Sequence, residues 1–343
     1  MIRIPNNHFI DYINAHKHKN LHPKLSKLYT KFPPTINNMK NMIFYGPAGV
    51  GKYTQTLASI LKYSSYGLNY EKKLCITYNK SNYVIKISDV HYEVDMSLLG
   101  CQAKIMWHEI YTHIIDIISA KTVKSGIIVC KYFHNINSEL LENFYGYMQN
   151  VIFPSVNVKF ILITESTGFI PQNILECCYM VRVPRPTLLK YNSILNEKIN
   201  KTNANPNNAN ANPNNANMRL SNITNIKYIG SLSNQLHNDN KISDNIVALL
   251  LDKNINLNEL REKIYDIFIY NIDPYTCLWN ILSHLFSHNL IPNINGNSAM
   301  PEIVIKIIGF SKYFNNNYRP IYHYENILLF LYTVIWANPT SRN

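Results

Sequence analysis

The sequence predicts an α/β protein with a largely parallel sheet, covered by helices on both faces and followed by a helical region. An apolar segment, Met42–Tyr45, leads into a glycine-rich turn and then into the amphipathic segment Lys52–Tyr63, which predicts strand, loop and helix. Strand-like and helix-like segments then alternate as far as Thr164, as they do in parallel sheets with helical crossovers. After Pro186 helical periodicity prevails.

Apolar periodicity predicts the other elements of the sheet domain. Further strands are expected at Leu74–Tyr78, Tyr83–Ile87, His91–Val94, Gly126–Cys130 and Val158–Thr164. One helix is predicted to bury Ile105, Met106, Ile110, Ile114, Ile117 and Ile118, and a second helix, Ser138–Gln149, to bury Leu140, Leu141, Phe144, Tyr145 and Met148. Two prolines in Val183-Pro184-Arg185-Pro186 interrupt regular hydrogen bonding, so the domain is expected to end there.

The rest of the chain combines a low-complexity tract with helical segments. Asn203–Asn217 lacks the apolar residues that would offset the entropy of ordering, which favours a disordered surface insertion; an interaction site is the alternative. Packed helices are predicted by Leu260, Ile264, Ile267 and Phe268, by Leu278, Ile281, Leu282 and Leu285, and by Ile303, Ile305, Ile307 and Ile308. Trp279, His284 and His288 lie among them, where packing or ordinary polar contacts are expected rather than catalysis.

The composition favours a globular, nucleic-acid-associated protein. Hydrophobic residues make up 46% and charged residues 16% of the chain, which supplies enough apolar surface for packed cores. The 33 Lys and Arg against 21 Asp and Glu give a net charge of +12, which favours a polyanionic partner, although a generally basic surface is an open alternative. The six cysteines form no C-x-x-C pair, and no apolar segment is long enough to span a bilayer.

The most specific motif is a phosphate-binding loop. Gly46-Pro47-Ala48-Gly49-Val50-Gly51-Lys52 matches G-x-x-x-x-G-K, in which backbone N–H groups and a helix N-terminus bind phosphates and the lysine neutralises them. The pattern requires Ser or Thr next, as a ligand of Mg²⁺, but the residue is Tyr53. Thr54 is one position further along the helix and rotated away, so magnesium binding is not expected.

From Pro34 to Pro186, and more loosely through the C-terminal helices, the order of segments resembles the small subunits of replication factor C, sliding-clamp loaders of the AAA+ ATPase family. The segments that carry the resemblance are the loop itself, His91–Ser97 with Gly100, the Walker B position Gly126–Tyr132, Asn143–Asn150, the sensor-1 position Phe160–Thr167, the arginine-finger position Ile174–Cys178, Val181–Pro186, and the collar-like Leu260–Asp266. The resemblance implies a diverged family member, and we expect a large DNA virus to encode it.

The family's catalytic residues are missing at the matching positions. The Walker B strand ends in Cys130 and Lys131, without the carboxylates that hold Mg²⁺ and orient water. Glu165 replaces the sensor-1 asparagine, where its charge would repel a γ-phosphate. Glu176 or Cys177 replaces the finger arginine, and Lys241–Leu251 has no clear sensor-2 arginine. Glu93 and Asp95 are the remaining carboxylates, for which stabilisation of a turn is favoured over metal binding.

The resemblance implies three domains: a nucleotide-binding domain over 1–186, a helical lid over 187–253 and a helical collar over 254–343. The expected ligand is ATP or ADP, bound weakly or structurally by the loop with Tyr53 and Thr54, without catalytic or metal-binding residues. The expected partners are other clamp-loader subunits, a sliding clamp and primer-template DNA, with Lys62, Lys104, Lys121 and Lys124 as candidate DNA contacts.

No membrane association is expected, and the expected location is the intracellular site of replication, in the nucleus or a viral replication compartment. The alternatives are a working ATPase in which Thr54, Glu93 or Asp95 bind the metal, and a DNA-binding packaging or virion protein that retains the fold.

Overall fold

The computed structural model describes residues 8–78, 81–149, 153–187, 190, 235–270, 272–288, 290–291, 293–294, 297–314 and 319–336. The chain divides into two units, Met1–Ile229 and Gly230–Asn343. The asparagine-rich tract 203–217, and with it much of the predicted lid, lies outside the described residues.

The first unit contains a seven-stranded sheet whose centre is parallel. Its strands are β1 Asn41–Tyr45, β2 Lys72–Tyr78, β3 Ser81–Ile87, β4 His91–Asp95, β5 Ser125–Lys131, β6 Asn157–Thr164 and β7 Cys178–Arg182, in the order β2-β3-β4-β5-β6-β1-β7. From β4 to β7 every neighbouring pair is parallel, whereas β3 is antiparallel to both β2 and β4. The links from β2 to β3 and from β3 to β4 are too short for a crossover, which explains this antiparallel edge.

Successive residues of the central strands point to opposite faces, and helices cover both. The helices are α1 Phe9–His18, α2 Pro23–Tyr29, α3 Lys52–Ile60, α4 Ala103–Ser119, α5 Ser138–Met148 and α6 Gln172–Glu176. Ile128 and Phe160 join α4 and α5 in one core, whereas Val129 and Ile161 join α2 and α3 in another. Of the six residues that α4 was predicted to bury, four are buried, Ile117 is half-buried and Ile105 is exposed.

The second unit is a helical bundle. Its helices are α7 Gln235–Leu250, α8 Leu257–Ile269, α9 Pro274–Ser287, α10 Met300–Tyr313 and α11 Pro320–Trp336, and Asn293–Ile294 pairs briefly with Asn297–Ser298. Ile246 and Leu250 of α7 share one core with Leu260 and Ile264 of α8. The predicted lid–collar boundary at 253/254 stays a prediction. An α/β domain with a largely parallel sheet followed by helices confirms the predicted fold class.

Three residues that were expected in the packed interior of the second unit are instead on its surface. Trp279, Ile305 and Ile308 are each more than 60% exposed. Periodicity places residues on a helix but does not show how wide the buried stripe is, because that width depends on the neighbouring helices. In the part of the chain that the structure describes, no helix combines the length and apolar character needed to cross a membrane.

Two tyrosines of the sheet allow a comparison between a buried hydroxyl group that is hydrogen-bonded and one that has no described partner. The Tyr92 hydroxyl on β4 is buried without a hydrogen-bond partner among the described residues, whereas the Tyr83 hydroxyl on β3 accepts from Asp95 N and donates to Asp95 O, both at 2.6 Å. We expect Tyr92→Phe to leave the free energy of unfolding unchanged or raise it by about 1 kcal/mol, and Tyr83→Phe to lower it by about 1–3 kcal/mol. Denaturant unfolding of both variants measures this, and equal losses would contradict it.

Candidate nucleotide-binding site

The glycine-rich loop joins the carboxyl end of β1 to the first turn of α3, at the edge of the parallel strands where such sheets bind ligands. Gly46 has a φ of 154°, and a Cβ there would lie 2.1 Å from the backbone oxygen of Val183. Gly51 precedes α3 with a φ of 91°, a conformation that side chains disfavour. Glycine is therefore required at both ends of the loop by the backbone itself.

Lys52 turns back over this loop. Its Nζ donates hydrogen bonds to the carbonyl oxygens of Gly46 and Pro47 at 2.8 and 2.7 Å and lies 3.8 Å from Glu165 Oε1. The residue is buried, as Val50 is, whereas Pro47, Ala48 and Gly49 are half-buried. The ammonium group thus lies over the loop, in position to meet a phosphate that enters it.

A histidine upstream of β1 supports the loop from outside. The Nε2 of His22 lies 2.8 Å from the backbone oxygen of Val50, and the residue is buried. Burial lowers the pKa of His22, although its contact with Val50 opposes this. No sequence motif identifies His22, because the contact joins residues 28 positions apart.

Tyr53, the residue after the loop lysine, is hydrogen-bonded to a buried carboxylate. Its hydroxyl donates to Glu93 Oε1 at 2.6 Å, and Lys131 Nζ donates to Glu93 Oε2 at 3.2 Å. The Lys131 ammonium also lies 5.6 Å from the centre of the Tyr53 ring, and His91 Nε2 lies 3.5 Å from Glu93 Oε1. We call Tyr53, Glu93 and Lys131 the buried charge cluster; it links α3, β4 and β5.

The protonation states of the cluster follow from burial and charge. Burial alone would raise the pKa of Glu93, but His91, Lys131 and Tyr53 together lower it to about 2. Burial and then the Glu93 carboxylate raise the pKa of Tyr53, so the phenol remains a neutral donor. Burial opposes ionisation of Lys131, yet Glu93 raises its pKa overall. At neutral pH the cluster therefore holds one anion and one cation.

The expected roles of the two acidic residues on β4 separate in the structure. Asp95 accepts a hydrogen bond from the Ser97 backbone N–H at 3.1 Å, as predicted for a turn-stabilising residue. Glu93 does not stabilise a turn: that interpretation is wrong, because its carboxylate is buried against α3 and β5. Strand alternation places the two residues on the same face, but only the packing of α3 buries one of them.

The side chains present do not fit a magnesium site of the P-loop type. The hydroxyl needed after Lys52 is a phenol bonded to Glu93, and the end of β5 provides a lysine. Thr54 is half-buried on the first turn of α3, and Cys130 is buried in the sheet, where burial raises the pKa of its thiol. Among the described residues, no three His, Cys, Asp or Glu side chains are grouped to hold a metal ion.

A second charge pair lies at the end of β6. Glu165 is one residue beyond Thr164, which pairs in register with Tyr45 of β1, so its carboxylate reaches Lys52. His134 Nε2 is 3.8 Å from Glu165 Oε2, but burial and the charge of Lys52 lower the pKa of His134 to about 4. His134 is thus neutral at pH 7, and this contact is not an ion pair. Tyr132, on the turn after β5, is half-exposed with a φ of 51°.

The remaining residues singled out from the sequence do not join this site by any described contact. Glu176 accepts a hydrogen bond from Gln172 at 3.0 Å, and the Sγ atoms of Cys177 and Cys178 lie 3.9 Å apart. Lys62 donates to the carbonyl oxygens of Tyr29 and Phe32, and Lys121 donates to that of Asp89. Lys104 and Lys124 are exposed.

Comparisons with known proteins give only distant similarity. No protein-family model matches the chain, and no curated protein matches it. Among solved structures it is similar to the RuvB Holliday junction branch migration motor of Thermotoga maritima (11% identity, 83% of this chain and 90% of that chain, TM-score 0.41). It is also similar to the replication initiator DnaA bound to AMPPCP and single-stranded DNA (12%, 91% and 98%, 0.42) and to the AAA domain of FIGL-1 (12%, 53% and 56%, 0.33). Likenesses this weak do not assign a family.

The buried charge cluster predicts an acid-sensitive fold. Because the folded-state pKa of Glu93 is depressed, the stability it contributes is present above about pH 4.5 and is lost as the pH falls towards 2. Glu93→Gln should lower the free energy of unfolding at pH 7 by about 3–5 kcal/mol, because Lys131 loses its counter-charge, and should flatten the acid dependence. Denaturant unfolding between pH 2.5 and 7 measures both. The exposed Glu142→Gln is the control, and an equal response of the two variants would refute the prediction.

Proposed function

We propose that this chain is a nucleotide-binding subunit of an oligomeric AAA+ assembly that acts on DNA, and specifically a replication factor C-like clamp-loader subunit that does not hydrolyse ATP. One observation carries this proposal. The glycine-rich loop has the backbone conformation and the lysine that phosphate binding needs. At the positions where magnesium ligands are required, Tyr53 and Lys131 are instead hydrogen-bonded to Glu93.

Phosphate binding depends on groups that the loop retains. Backbone amides at the start of a helix attract an anion, and Lys52 adds a full positive charge beside them. Two partners of Lys52 are neutral carbonyl oxygens, which a charged phosphate can replace as acceptors, because charge-assisted hydrogen bonds are stronger. Nucleotide binding without a metal is therefore the activity that this arrangement supports.

Hydrolysis needs groups that this arrangement lacks. An attacking water must be oriented and the transferred phosphoryl group neutralised, which metal-bound carboxylates do in P-loop enzymes. Here β5 ends in Lys131, followed by Tyr132, and Glu93 is engaged by Tyr53 and Lys131. A working ATPase that uses Glu93 as a metal ligand would first have to break this buried cluster, so we favour the non-hydrolysing alternative.

Exposed apolar surface supports the oligomeric part of the proposal. Helix α10 exposes four apolar side chains, Met300, Val304, Ile305 and Ile308. Grouped apolar residues on a surface are typical of protein interfaces. We assign this helix to contacts with sister subunits; the sliding clamp and primer-template DNA remain proposed on the resemblance and the net charge of +12. A packaging protein would not co-purify with clamp-loader subunits.

The loop should bind ATP and ADP without turnover. Each nucleotide should raise the melting temperature by the same amount with magnesium as without it, because the magnesium ligands are replaced. At a nucleotide concentration of about 100 times Kd, the free energy of unfolding should rise by about 2.7 kcal/mol. Thermal unfolding and phosphate release measure the two halves of the prediction. Lys52→Ala should abolish the stabilisation, and Lys104→Ala, which removes the same charge from an exposed position, should not.

Either of two results would count against this prediction. Phosphate release well above that of Lys52→Ala would support the working-ATPase alternative. An unchanged melting temperature with both nucleotides would show that the loop no longer binds phosphate.

The affinity for DNA should be independent of the DNA sequence and should fall steeply with salt, because it depends on contacts between lysine side chains and DNA phosphates. Of the four candidate lysines, only Lys104 and Lys124 are exposed without a described side-chain hydrogen bond. Their joint replacement by alanine should therefore weaken binding at low salt and reduce the salt slope by about 1–2. Titration of primer-template DNA at several salt concentrations measures this.

The control variant is Lys17→Ala combined with Lys24→Ala, which removes the same charge from exposed positions of α1 and α2. Equal loss in both variants would mean that binding is diffuse and that Lys104 and Lys124 are not contacts. A salt-insensitive affinity would contradict electrostatic binding altogether.

A further inference from the structure

The carboxylate of Glu165 lies at the phosphate-binding loop. Glu165 directly follows β6, the strand next to β1, and the register of Thr164 with Tyr45 sets it beside the start of the loop. Its Oε1 is 3.8 Å from Lys52 Nζ, and its side chain is 33% exposed. The Glu165 carboxylate therefore lies beside Lys52, the cation that would bind the terminal phosphates of a nucleotide.

Two other basic side chains, His134 and Lys131, do not offer a free positive charge to this carboxylate. His134 is within 3.8 Å of Glu165 but is neutral at pH 7, because burial and Lys52 lower its pKa to about 4. Lys131, at the end of the neighbouring strand β5, is paired with Glu93 at 3.2 Å. Glu165 and an incoming phosphate would therefore share the positive charge of Lys52.

The negative charge of Glu165 should affect the individual phosphates of a nucleotide to different extents. A P-loop backbone holds the α- and β-phosphates, and its lysine reaches the β- and γ-phosphates. The part of the loop that binds the first two is retained around Gly49 and Gly51. A γ-phosphate would add further negative charge beside Lys52, whose ammonium group already lies 3.8 Å from the Glu165 carboxylate, and the described residues form no metal site that would offset the repulsion.

We infer that this site selects nucleoside diphosphates over nucleoside triphosphates, with Glu165 as the residue that determines the selectivity. This inference rests on the proposed function, since it requires the loop to bind nucleotide. With this selectivity, the chain would keep a bound nucleoside diphosphate while its partner subunits bind and hydrolyse ATP. Glu165 acts by occupying the positive charge that a γ-phosphate needs.

Direct binding measurements test this inference. Isothermal titration of the full chain with ADP and with ATP, both in EDTA, should give an affinity for ADP about tenfold higher, equivalent to about 1.4 kcal/mol. Glu165→Gln keeps the size and polarity of the side chain but removes its charge. It should raise the affinity for ATP more than that for ADP and bring the ratio to about threefold or less.

Control variants separate the possible failures. Glu142→Gln removes an exposed carboxylate from α5 and should leave the ratio at its wild-type value. Equal binding of ADP and ATP by the wild type, or the same ratio in Glu165→Gln, overturns the inference while nucleotide binding stands. If neither nucleotide binds to the wild type, the proposed function fails as well. Circular dichroism shows whether each variant is folded.

Discussion

The burial of the Glu93 carboxylate is the constraint on which the rest of the site depends. A charge removed from water requires both an opposite charge and hydrogen bonds, and Glu93 obtains them from Lys131 and Tyr53. These partners come from a helix and a neighbouring strand, so satisfying one carboxylate fixes the position of α3 against the sheet. It also commits the residue after Lys52 to a structural contact, which removes the hydroxyl that a magnesium-dependent site uses.

Two lysine–carboxylate pairs, Lys131 with Glu93 and Lys52 with Glu165, lie at the ends of β5 and β6. The resemblance to clamp-loader subunits would place a metal-binding acid at the position of Lys131 and a neutral polar group at that of Glu165. Each new charge has a partner, Glu93 in one case and Lys52 in the other. The four side chains are therefore balanced in charge, an arrangement that fits the proposed binding of phosphate without its transfer.

The order of strands and helices could be predicted because local periodicity determines it. The hydrophobic segments of β1, β5 and β6 and the apolar stripes of α4 and α5 lie where the pattern placed them. Exposure was less predictable: Ile305 and Ile308 match a buried stripe, and packing was expected for Trp279, yet all three face solvent. Burial depends on what packs against a helix, and a single sequence does not contain that information.

The sequence alone predicted the glycine-rich loop between β1 and α3, because the spacing of its glycines is a local requirement of backbone geometry. Through the resemblance it also predicted that Lys131 and Glu165 stand at strand ends where clamp-loader subunits have other residues. The tertiary structure decided which charges meet: Glu93 with Tyr53 and Lys131, Glu165 with Lys52, and His22 with Val50. These partners are from 28 to 113 residues apart in the numbering, and only the packing of the sheet against its helices brings them together.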